Sequence, residues 1–220
     1  MQINLVSPET LNTYWWIPLA AYAIGSIPFG YLIMRQAGQG DIRSVGSGNV
    51  GATNVARTAG IGAGALTFFL DAAKGALAVW LAMQITGGSV TWMMAAALGA
   101  MLGHIFPVWL AGRGGRGVST GVGAFFLICW PAVTAAIVIW LMVMAVSRYV
   151  SLASIMAAAS LPFLMYLLYA PGHPPSYVVS GGTTLASLMI ILKHRQNIAR
   201  LMNGTESRFN FHRSPRGQQN

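Results

Sequence analysis

Long apolar runs alternate with short polar segments along the 220 residues of this chain. The longer runs approach the roughly 20 residues that one helical crossing of a bilayer needs. They lie at about Trp15–Met34, Ile61–Ile85, Val90–Leu110, Val118–Trp130, Pro131–Val146, Leu152–Ala170 and Tyr177–Leu192. The pattern predicts an all-α integral membrane protein.

The composition agrees with a membrane protein and narrows the range of partners. Hydrophobic residues make up 55% of the chain and charged residues only 8%, whereas a soluble domain is about a quarter charged. The formal net charge is +9, but the basic residues flank apolar runs and do not form a stripe with stacking aromatic residues on a polar surface. We therefore expect contact with membrane lipids and none with nucleic acid.

The number of crossings depends on residues 118–146, which form either two short crossings or one long tilted helix kinked at Pro131. Two crossings make seven in total and place twelve of the thirteen basic residues on one side, with Lys74 inside a span. One crossing would split the same residues five against seven. Because basic residues concentrate in cytoplasmic loops, we predict seven transmembrane helices, with the N-terminus outside and the C-terminus cytoplasmic.

We accordingly predict one membrane domain over residues 15–206, an extracytoplasmic segment at residues 1–14, and a basic, disordered cytoplasmic tail at residues 207–220. Within the second span, Asp71 and Lys74 lie three residues apart. An unpaired charge near the bilayer centre costs at least about 2.5–3.5 kcal/mol. The two side chains are therefore predicted to form a structural ion pair that faces the bundle interior.

Three polar segments lie on the predicted cytoplasmic side, and the first is a glycine-rich loop. Glycines let backbone N–H groups converge on an anion, and arginine forks bind phosphate oxygens. A flexible loop whose arginines only determine topology is the alternative. The candidate phosphate ligands are Arg43, Gly46, Ser47, Gly48, Asn49, Gly51, Thr53, Asn54 and Arg57.

The second segment is a glycine-rich turn that leads into the fourth apolar run. The first N–H groups of a helix are unpaired and the helix dipole is positive there, so such a turn is suited to binding an anion. Arginines that only determine topology are again the alternative. The candidates are Gly114, Gly115, Arg116, Gly117, Ser119 and Thr120. His104, which precedes the turn, is interpreted as a buried residue with one satisfied hydrogen bond.

The third segment places His194, Asn197 and Arg200 at i, i+3 and i+6, roughly on one face of a helix that leaves the membrane. Glu206 follows. A basic helix next to the membrane is the alternative interpretation. All three segments are predicted to converge on a single pocket at the inner rim of the bilayer.

Five stretches of sequence carry a family resemblance that covers about residues 15–206. They read G-S-I-P-F-G at Gly25–Gly30, D-I-R-S-V-G-S-G-N-V-G-A-T-N-V-A-R at Asp41–Arg57, D-A-A-K-G at Asp71–Gly75, G-H-I-F-P-V-W at Gly103–Trp109 and H-R-Q-N-I-A-R-L-M-N-G-T-E at His194–Glu206. Together they resemble the acyl-phosphate-dependent glycerol-3-phosphate acyltransferases of bacteria, the PlsY family.

The resemblance implies seven spans in the bacterial cytoplasmic (inner) membrane. It implies transfer of a fatty acyl group from acyl phosphate to the sn-1 hydroxyl of glycerol 3-phosphate, which gives lysophosphatidic acid and phosphate. The family's functional residues fall on Ser47, Arg57, Gly114–Gly117, His194, Asn197 and Glu206. One position departs from the family, since Arg116 stands where lysine is usual and replaces a compact ammonium with a planar fork.

We expect direct attack of the glycerol hydroxyl on the acyl carbonyl, with no acyl-enzyme. Cys129 lies on the predicted outer side, and no carboxylate clearly orients a histidine–serine pair. Ser47 would stabilise the oxyanion, Asn197 would orient glycerol phosphate, and His194 or the departing phosphate would take the proton. The four histidines form no ligand-spaced cluster, so neither a metal nor another cofactor is expected.

Two other classes of function compete with this one. Glycine-interrupted segments with basic residues also suit a membrane transporter for a phosphate ester, although its binding groups should lie near the middle of the membrane. A lipid-binding scaffold held by the basic tail is a third class, but it leaves the serine and asparagine positions unexplained.

Overall fold

The computed structural model describes residues 12–169 and 176–209, and its regular elements within those ranges are helical. They are α1 (Ile17–Gly25), α2 (Phe29–Gln36), α3 (Ala52–Ala59), α4 (Ile61–Ile85), α5 (Val90–Ile105), α6 (Val118–Ile128), α7 (Trp130–Ser147), α8 (Val150–Leu168), α9 (Tyr177–Lys193) and α10 (Arg195–Met202), with 3-10 turns at Ile42–Ser44 and Val108–Leu110. The predicted all-α class is confirmed for this part of the chain.

Among the described residues, five helical stretches are long and apolar enough to cross a membrane: Asn12–Gln36, Ile61–Ile85, Val90–Leu110, Trp130–Ser147 and Val150–Leu168. The apolar helices α6 and α9 are shorter. With 11 residues, α6 is about 16 Å long, roughly half of the hydrocarbon core. Much of α6 is buried against α4 and α5, so protein rather than lipid surrounds most of this short helix.

The chain leaves one end of the bundle and returns to it between residues 118 and 147. At the start of this stretch, Arg116 lies two residues before α6 and borders the same pocket as Arg195 and Gln196 of α10. At its end, α7 is followed by α8, where the Ser151 hydroxyl donates a hydrogen bond to Glu206 (Oγ–Oε1 2.7 Å), four residues after the end of α10. Both ends of the stretch therefore lie beside α10 and the segment that follows it.

The two helices of this stretch are separate. Cys129 between them is not helical, with φ −155° and ψ 85°. Pro131 lies in the first turn of α7, where its missing N–H breaks no helical hydrogen bond. The single helix kinked at Pro131, which the sequence left as an alternative, is not formed.

Close backbone contact joins α4 to α6. A Cβ added to Gly123 would overlap the carbonyl group of Ala72, and one added to Gly75 would overlap the carbonyl group of Thr120. Small residues at such positions let two membrane helices approach closely, where van der Waals packing holds them together. Thr120 is consequently fully buried in this helix contact.

The predicted ion pair between Asp71 and Lys74 is confirmed. Lys74 Nζ lies 2.6 Å from Asp71 Oδ1, and the two side chains are only 3% and 2% exposed. Lys74 also donates a hydrogen bond to the carbonyl oxygen of Ile27 at 2.7 Å. That carbonyl lies in the break between α1 and α2, where Pro28 interrupts the helix.

The boundaries of the predicted domain shift at both ends. Tyr14 packs edge-on against Trp92, with 5.9 Å between ring centroids, so the folded part begins before residue 15. At the other end, Arg208 Nε donates to the Tyr149 hydroxyl at 3.2 Å, and the Phe209 N–H donates to a backbone carbonyl at 2.8 Å. The tail predicted to be disordered from residue 207 is therefore held as far as Phe209. Residues 1–11 and 210–220 lie outside the described residues.

We predict that Gly123→Ala destabilises the protein by about 2 kcal/mol, because the added Cβ forces α4 and α6 apart. The matched control is Gly181→Ala, where a Cβ meets open space and alanine is the better helix former. Thermal unfolding of the purified protein in detergent measures both. Equal unfolding midpoints for the two variants would contradict the close crossing.

Candidate active site

A polar pocket of about 160 Å³ opens where the three polar segments meet. Residues from all three segments line it: Ser47, Gly48 and Asn49 from the first, Gly114 and Arg116 from the second, and Lys193, Arg195 and Gln196 from the third. The predicted convergence on one pocket is confirmed. The lining contains three cations, one from the second segment and two from the third, so the pocket suits an anionic ligand.

The first loop is built around the buried side chain of Asn54. Its Oδ1 accepts a hydrogen bond from the Ser47 N–H at 2.9 Å, and its Nδ2 donates to the carbonyl oxygens of Val45 and Asn49 at 3.0 and 2.9 Å. Gly46, at φ +60°, provides the turn that brings the chain against this amide. Asn54 thus holds the loop in shape and leaves Ser47 and Gly48 exposed at the pocket.

The remaining candidates of the first loop lie at the start of α3. The Asn49 side chain accepts a hydrogen bond from the Gly51 N–H at 2.8 Å (Oδ1–N), and Gly51 precedes the first residue of the helix. Thr53 is half-buried in the first turn. Asn49 lines the pocket, whereas Gly51 and Thr53 stand behind it.

Arg43 does not line the pocket. Its Nη2 lies 2.7 Å from Asp41 Oδ2 and its Nε 3.0 Å from Oδ1. The guanidinium also lies over the Tyr31 ring, 5.5 Å from its centroid, and donates to the Leu110 carbonyl at 3.5 Å. The hydrogen bonds from Arg43 lower the pKa of Asp41 below its usual value. In this arrangement Arg43 ties the first loop to the second.

In the second loop, the two leading glycines direct their N–H groups away from any ligand. Gly114 N–H donates to the Ile105 carbonyl at 3.2 Å, and Gly115 N–H donates to the His104 carbonyl at 3.0 Å. The N–H groups of these two predicted phosphate ligands are therefore already paired within the protein. Gly117, at φ +86°, turns the chain into α6, whose first N–H groups remain available.

Arg116 is the cation that this loop places in the pocket. Burial lowers its pKa to about 10, so the guanidinium stays charged at neutral pH. Ser119 is half-buried in the first turn of α6, whereas Thr120 is enclosed by the contact with α4. Of the predicted side-chain ligands in this segment, Arg116 is the one that lines the pocket.

His194 is buried between α9 and α10, and its Nδ1 lies 2.8 Å from the carbonyl oxygen of Ile190. A carbonyl oxygen only accepts, so Nδ1 carries the proton and Nε2 is left with a lone pair. Burial lowers the pKa of His194 to about 4. The ring is therefore neutral at pH 7 and can accept a hydrogen bond at Nε2.

Glu206 holds the third segment together by accepting three side-chain hydrogen bonds. Its Oε1 accepts hydrogen bonds from Ser151 Oγ at 2.7 Å and Asn197 Nδ2 at 2.6 Å, and its Oε2 accepts from Arg200 Nε at 2.7 Å. Burial opposes its ionisation, but the three hydrogen bonds outweigh burial and lower the pKa of Glu206 below its usual value. The carboxylate is an anion with its lone pairs engaged, so it orients Asn197 and Arg200 and does not contact a phosphate.

Arg57 stands beside the pocket in the last turn of α3. Its Nη2 donates to the Ser207 carbonyl at 3.1 Å, which places it under the C-terminal segment. Arg57, Arg116 and Arg200 influence one another electrostatically, and Glu206 attracts the first two. The positive charges around the pocket exceed the single carboxylate among them.

Four residues of this region were not predicted from the sequence. Lys193, Arg195 and Gln196 line the pocket, but in the sequence they look like an ordinary basic end of a membrane helix. Ser151 reaches Glu206 across 55 positions of sequence, and no local signal marks it. Adjacency to His194 was the one sequence clue to the first three.

Comparison with known proteins identifies the family. A family model described as glycerol-3-phosphate acyltransferase matches residues 15–204. The chain belongs to this glycerol-3-phosphate acyltransferase family. The resemblance drawn from the five sequence stretches is confirmed.

Individual members of the glycerol-3-phosphate acyltransferase family agree over nearly the full length. The glycerol-3-phosphate acyltransferase of Gluconobacter oxydans is 49% identical over 193 residues, covering 87% of this chain and 91% of the relative. That of Mesorhizobium japonicum is 46% identical over 187 residues, covering 85% and 91%. The crystal structure of PlsY, an integral membrane glycerol 3-phosphate acyltransferase, in its glycerol 3-phosphate form matches with a TM-score of 0.83 and 37% identity over 90% of this chain and 96% of that one. Its lysophosphatidic acid form matches with a TM-score of 0.81.

We predict that Glu206→Gln lowers the free energy of unfolding by about 2–3 kcal/mol, because it removes the charge from three buried or half-buried hydrogen bonds. The control is Asp41→Asn, whose ion pair with Arg43 is about one-third exposed and should contribute less than about 1 kcal/mol. Denaturant unfolding in detergent measures both. A decrease in the free energy of unfolding as small as that of the control would show that Glu206 does not hold the third segment together.

Proposed function

We propose that this glycerol-3-phosphate acyltransferase takes its fatty acyl group from acyl phosphate and transfers it to the sn-1 hydroxyl of glycerol 3-phosphate. The products are lysophosphatidic acid and inorganic phosphate, and the reaction begins phospholipid synthesis. The observation that carries the proposal is the polar pocket, where a cation from the second loop and two from a helix end lie together beside an apolar bundle. Both substrates present phosphate groups, and the donor also carries an apolar chain, so this combination fits them.

The acyl group passes directly to glycerol 3-phosphate. The substrate hydroxyl forms a bond to the carbonyl carbon while the bond from that carbon to the phosphate oxygen breaks, and phosphate leaves with the electron pair. Ser47, exposed at the pocket, donates to the oxyanion. His194 is a weak base with a pKa of about 4, so it accepts a hydrogen bond from the attacking hydroxyl. The departing phosphate, whose second pKa is near 6, takes the proton.

A covalent acyl-enzyme is disfavoured by the pairing of the acidic residues. Asp41, Asp71 and Glu206 each pair with a cation. Asp71 also lies 3.5 Å from His104, but the Nε2 of that histidine faces Gly115, so none of these described carboxylates orients a histidine toward a serine, as a nucleophilic triad requires. Cys129, the single cysteine, is buried where α6 meets α7, away from the pocket. Phosphate is already a good leaving group, so positioning and charge stabilisation are sufficient.

The other residues of the site either bind the substrates or hold the substrate-binding segments in place. Arg57, Arg116, Lys193 and Arg195 supply the charge that attracts and holds the two phosphates, and Asn197 orients glycerol phosphate. Gly46, Asn54 and Arg43 hold the first loop, and Glu206 holds the third segment. The pocket is open at the bundle end, so both substrates enter from that side.

The membrane arrangement is seven spans, with the N-terminus outside and the pocket and C-terminus on the cytoplasmic side of a bacterial inner membrane. Two facts support it. Both ends of residues 118–147 lie beside the last described helix and the segment that follows it, so α6 and α7 form two separate crossings, and the short helices α6 and α9 bring the five long stretches to seven. The described basic residues outside the spans gather around the pocket loops and helix ends, as expected for a cytoplasmic face.

The transporter alternative finds little support in the interior. The space lined by Asp71, Lys74 and His104 inside the bundle is too narrow to hold a water molecule. A path from the pocket through this region would have to break a buried ion pair. The described binding groups thus sit at one end of the bundle instead of the membrane midplane, where transporters place them.

The activity is tested with purified protein, palmitoyl phosphate and labelled glycerol 3-phosphate. We predict labelled lysophosphatidic acid with this donor and none when acyl-CoA replaces it. Ser47→Ala and Arg57→Ala, shown to be folded, should each lose about 10²–10³-fold in rate, since each removes a group that stabilises the developing charge. The controls Ser44→Ala and Arg35→Ala, which remove the same side-chain types outside the pocket, should keep near-parental rates. Uptake of glycerol 3-phosphate into proteoliposomes without acyl product would favour the transporter.

The topology is tested by thiol labelling in a Cys129→Ser background. We predict that cysteines at Gln39 and Gln196 react with a membrane-impermeant maleimide in inside-out vesicles only, because both positions lie at the pocket end and are exposed. A cysteine at Ser89, in the opposite connection, should react in intact spheroplasts. Labelling of Gln39 and Gln196 from opposite sides would overturn the seven-span arrangement.

A further inference from the structure

A buried polar cluster lies directly behind the second glycine loop. Asp71 Oδ1 is 2.6 Å from Lys74 Nζ and 3.5 Å from His104 Nδ1. All three side chains are at least nine-tenths buried. The Lys74 ammonium is held from its other side by the Ile27 carbonyl at 2.7 Å and by the Phe29 ring, 5.6 Å from its centroid. The cluster therefore joins α4, α5 and the break between α1 and α2.

The backbone of the second loop packs directly against His104. The backbone carbonyl of His104 accepts the N–H of Gly115 at 3.0 Å. On the same residue, Nε2 of the ring lies so close to Gly115 that a Cβ there would overlap it. A Cβ on Gly114 would overlap the His104 carbonyl oxygen. Both the backbone and the ring of one histidine thus determine where this loop runs.

The residue that follows these contacts is Arg116, which lines the pocket. A run of glycines has large conformational freedom and does not hold one shape by itself. The contacts of Gly114 and Gly115 with the end of α5 therefore fix the position of the Arg116 backbone. If the His104 ring turned, Nε2 would no longer meet Gly115, and the loop would lose one of its two supports.

We propose that Asp71, Lys74 and His104 are positioning residues for phosphate binding. The Asp71 carboxylate, 3.5 Å from Nδ1, orients the His104 ring, and the Lys74 ammonium holds that carboxylate in place inside the bundle. The oriented ring and its carbonyl hold Gly114–Gly115, and the loop aims Arg116 into the pocket. This inference rests on the proposed function in that Arg116 holds a substrate phosphate. An ion pair that only stabilised the bundle would need no third partner facing a loop.

The first test separates positioning from stability by removing both charges together. In Asp71→Leu with Lys74→Met, no unpaired charge remains in the membrane, but His104 Nδ1 no longer faces an oxygen atom. In Asp71→Asn with Lys74→Met, the amide oxygen can still face Nδ1. We expect the leucine pair to stay folded yet raise the KM for a phosphate substrate and the Kd for glycerol 3-phosphate by about tenfold, since small misplacements of binding groups are costly. The asparagine pair should restore both values to near the parental ones.

The second test is a double-mutant cycle between the ring and the loop. Gly115→Ala should raise the KM because its Cβ collides with Nε2, and His104→Ala should raise it because the support is lost. With both changes, the methyl group occupies the space that the ring leaves, so the combined loss should be smaller than the product of the two separate losses. Met165→Ala, in a fully buried site of the apolar core, is the control that lowers the unfolding midpoint without changing the KM.

The outcomes distinguish the inference from the function on which it rests. Calorimetry with glycerol 3-phosphate measures Kd whether or not an acyl group is transferred. Absence of lysophosphatidic acid from the parental protein would overturn the proposed function. Parental Kd and KM values in the leucine pair, or losses that multiply in the double-mutant cycle, would overturn the positioning role.

Discussion

The high free energy of an unpaired charge in hydrocarbon organises this protein. The described cations therefore gather at one end of the bundle, where water and phosphate can reach them. Lys74 is the cation placed deep inside a span, and it lies there only because Asp71 and the Ile27 carbonyl surround it. The same constraint accounts for the location of the pocket and for the buried cluster that supports its second loop.

Glycine has two different structural roles in this chain. In α4 and α6, Gly75 and Gly123 allow backbones to touch, which holds the short helix α6 inside the bundle. In the loops, Gly46 and Gly117 adopt positive φ angles that other residues rarely reach. The helix contacts set where α6 begins, and the loop glycines set how the chain enters it. The position of Arg116 depends on both.

Much of the fold and the approximate site could be predicted from sequence because both follow from patterns along the chain. The lengths of the apolar runs indicate the membrane spans. Because the basic residues can be placed on one side of the membrane, three segments that are distant in sequence are predicted to lie at the same end of the bundle. The pairing of side chains could not be predicted in this way. In the sequence, Arg43 resembles a phosphate ligand, but in the structure it forms an ion pair with Asp41. The N–H groups of Gly114 and Gly115 also resemble free donors, but they are hydrogen-bonded to the last carbonyl groups of α5. Ser151 joins Glu206 only through the tertiary fold, so no spacing rule marks it.

Position 116, where the family resemblance implies lysine, carries an arginine, and the electrostatics of the pocket favour that residue. Burial and the neighbouring arginines lower the pKa of Arg116 to about 10, which still leaves a full charge at neutral pH. A lysine starts about two pH units lower than an arginine, so the same surroundings would bring it much closer to deprotonation. Arginine therefore keeps its charge among Arg57, Arg200 and Lys193, and its fork can bind two phosphate oxygens at once. Under the proposed function, an arginine here attracts phosphate as a lysine would, but its direction is more important, since a planar fork binds well in few orientations. A loop held on two sides by His104 provides that direction.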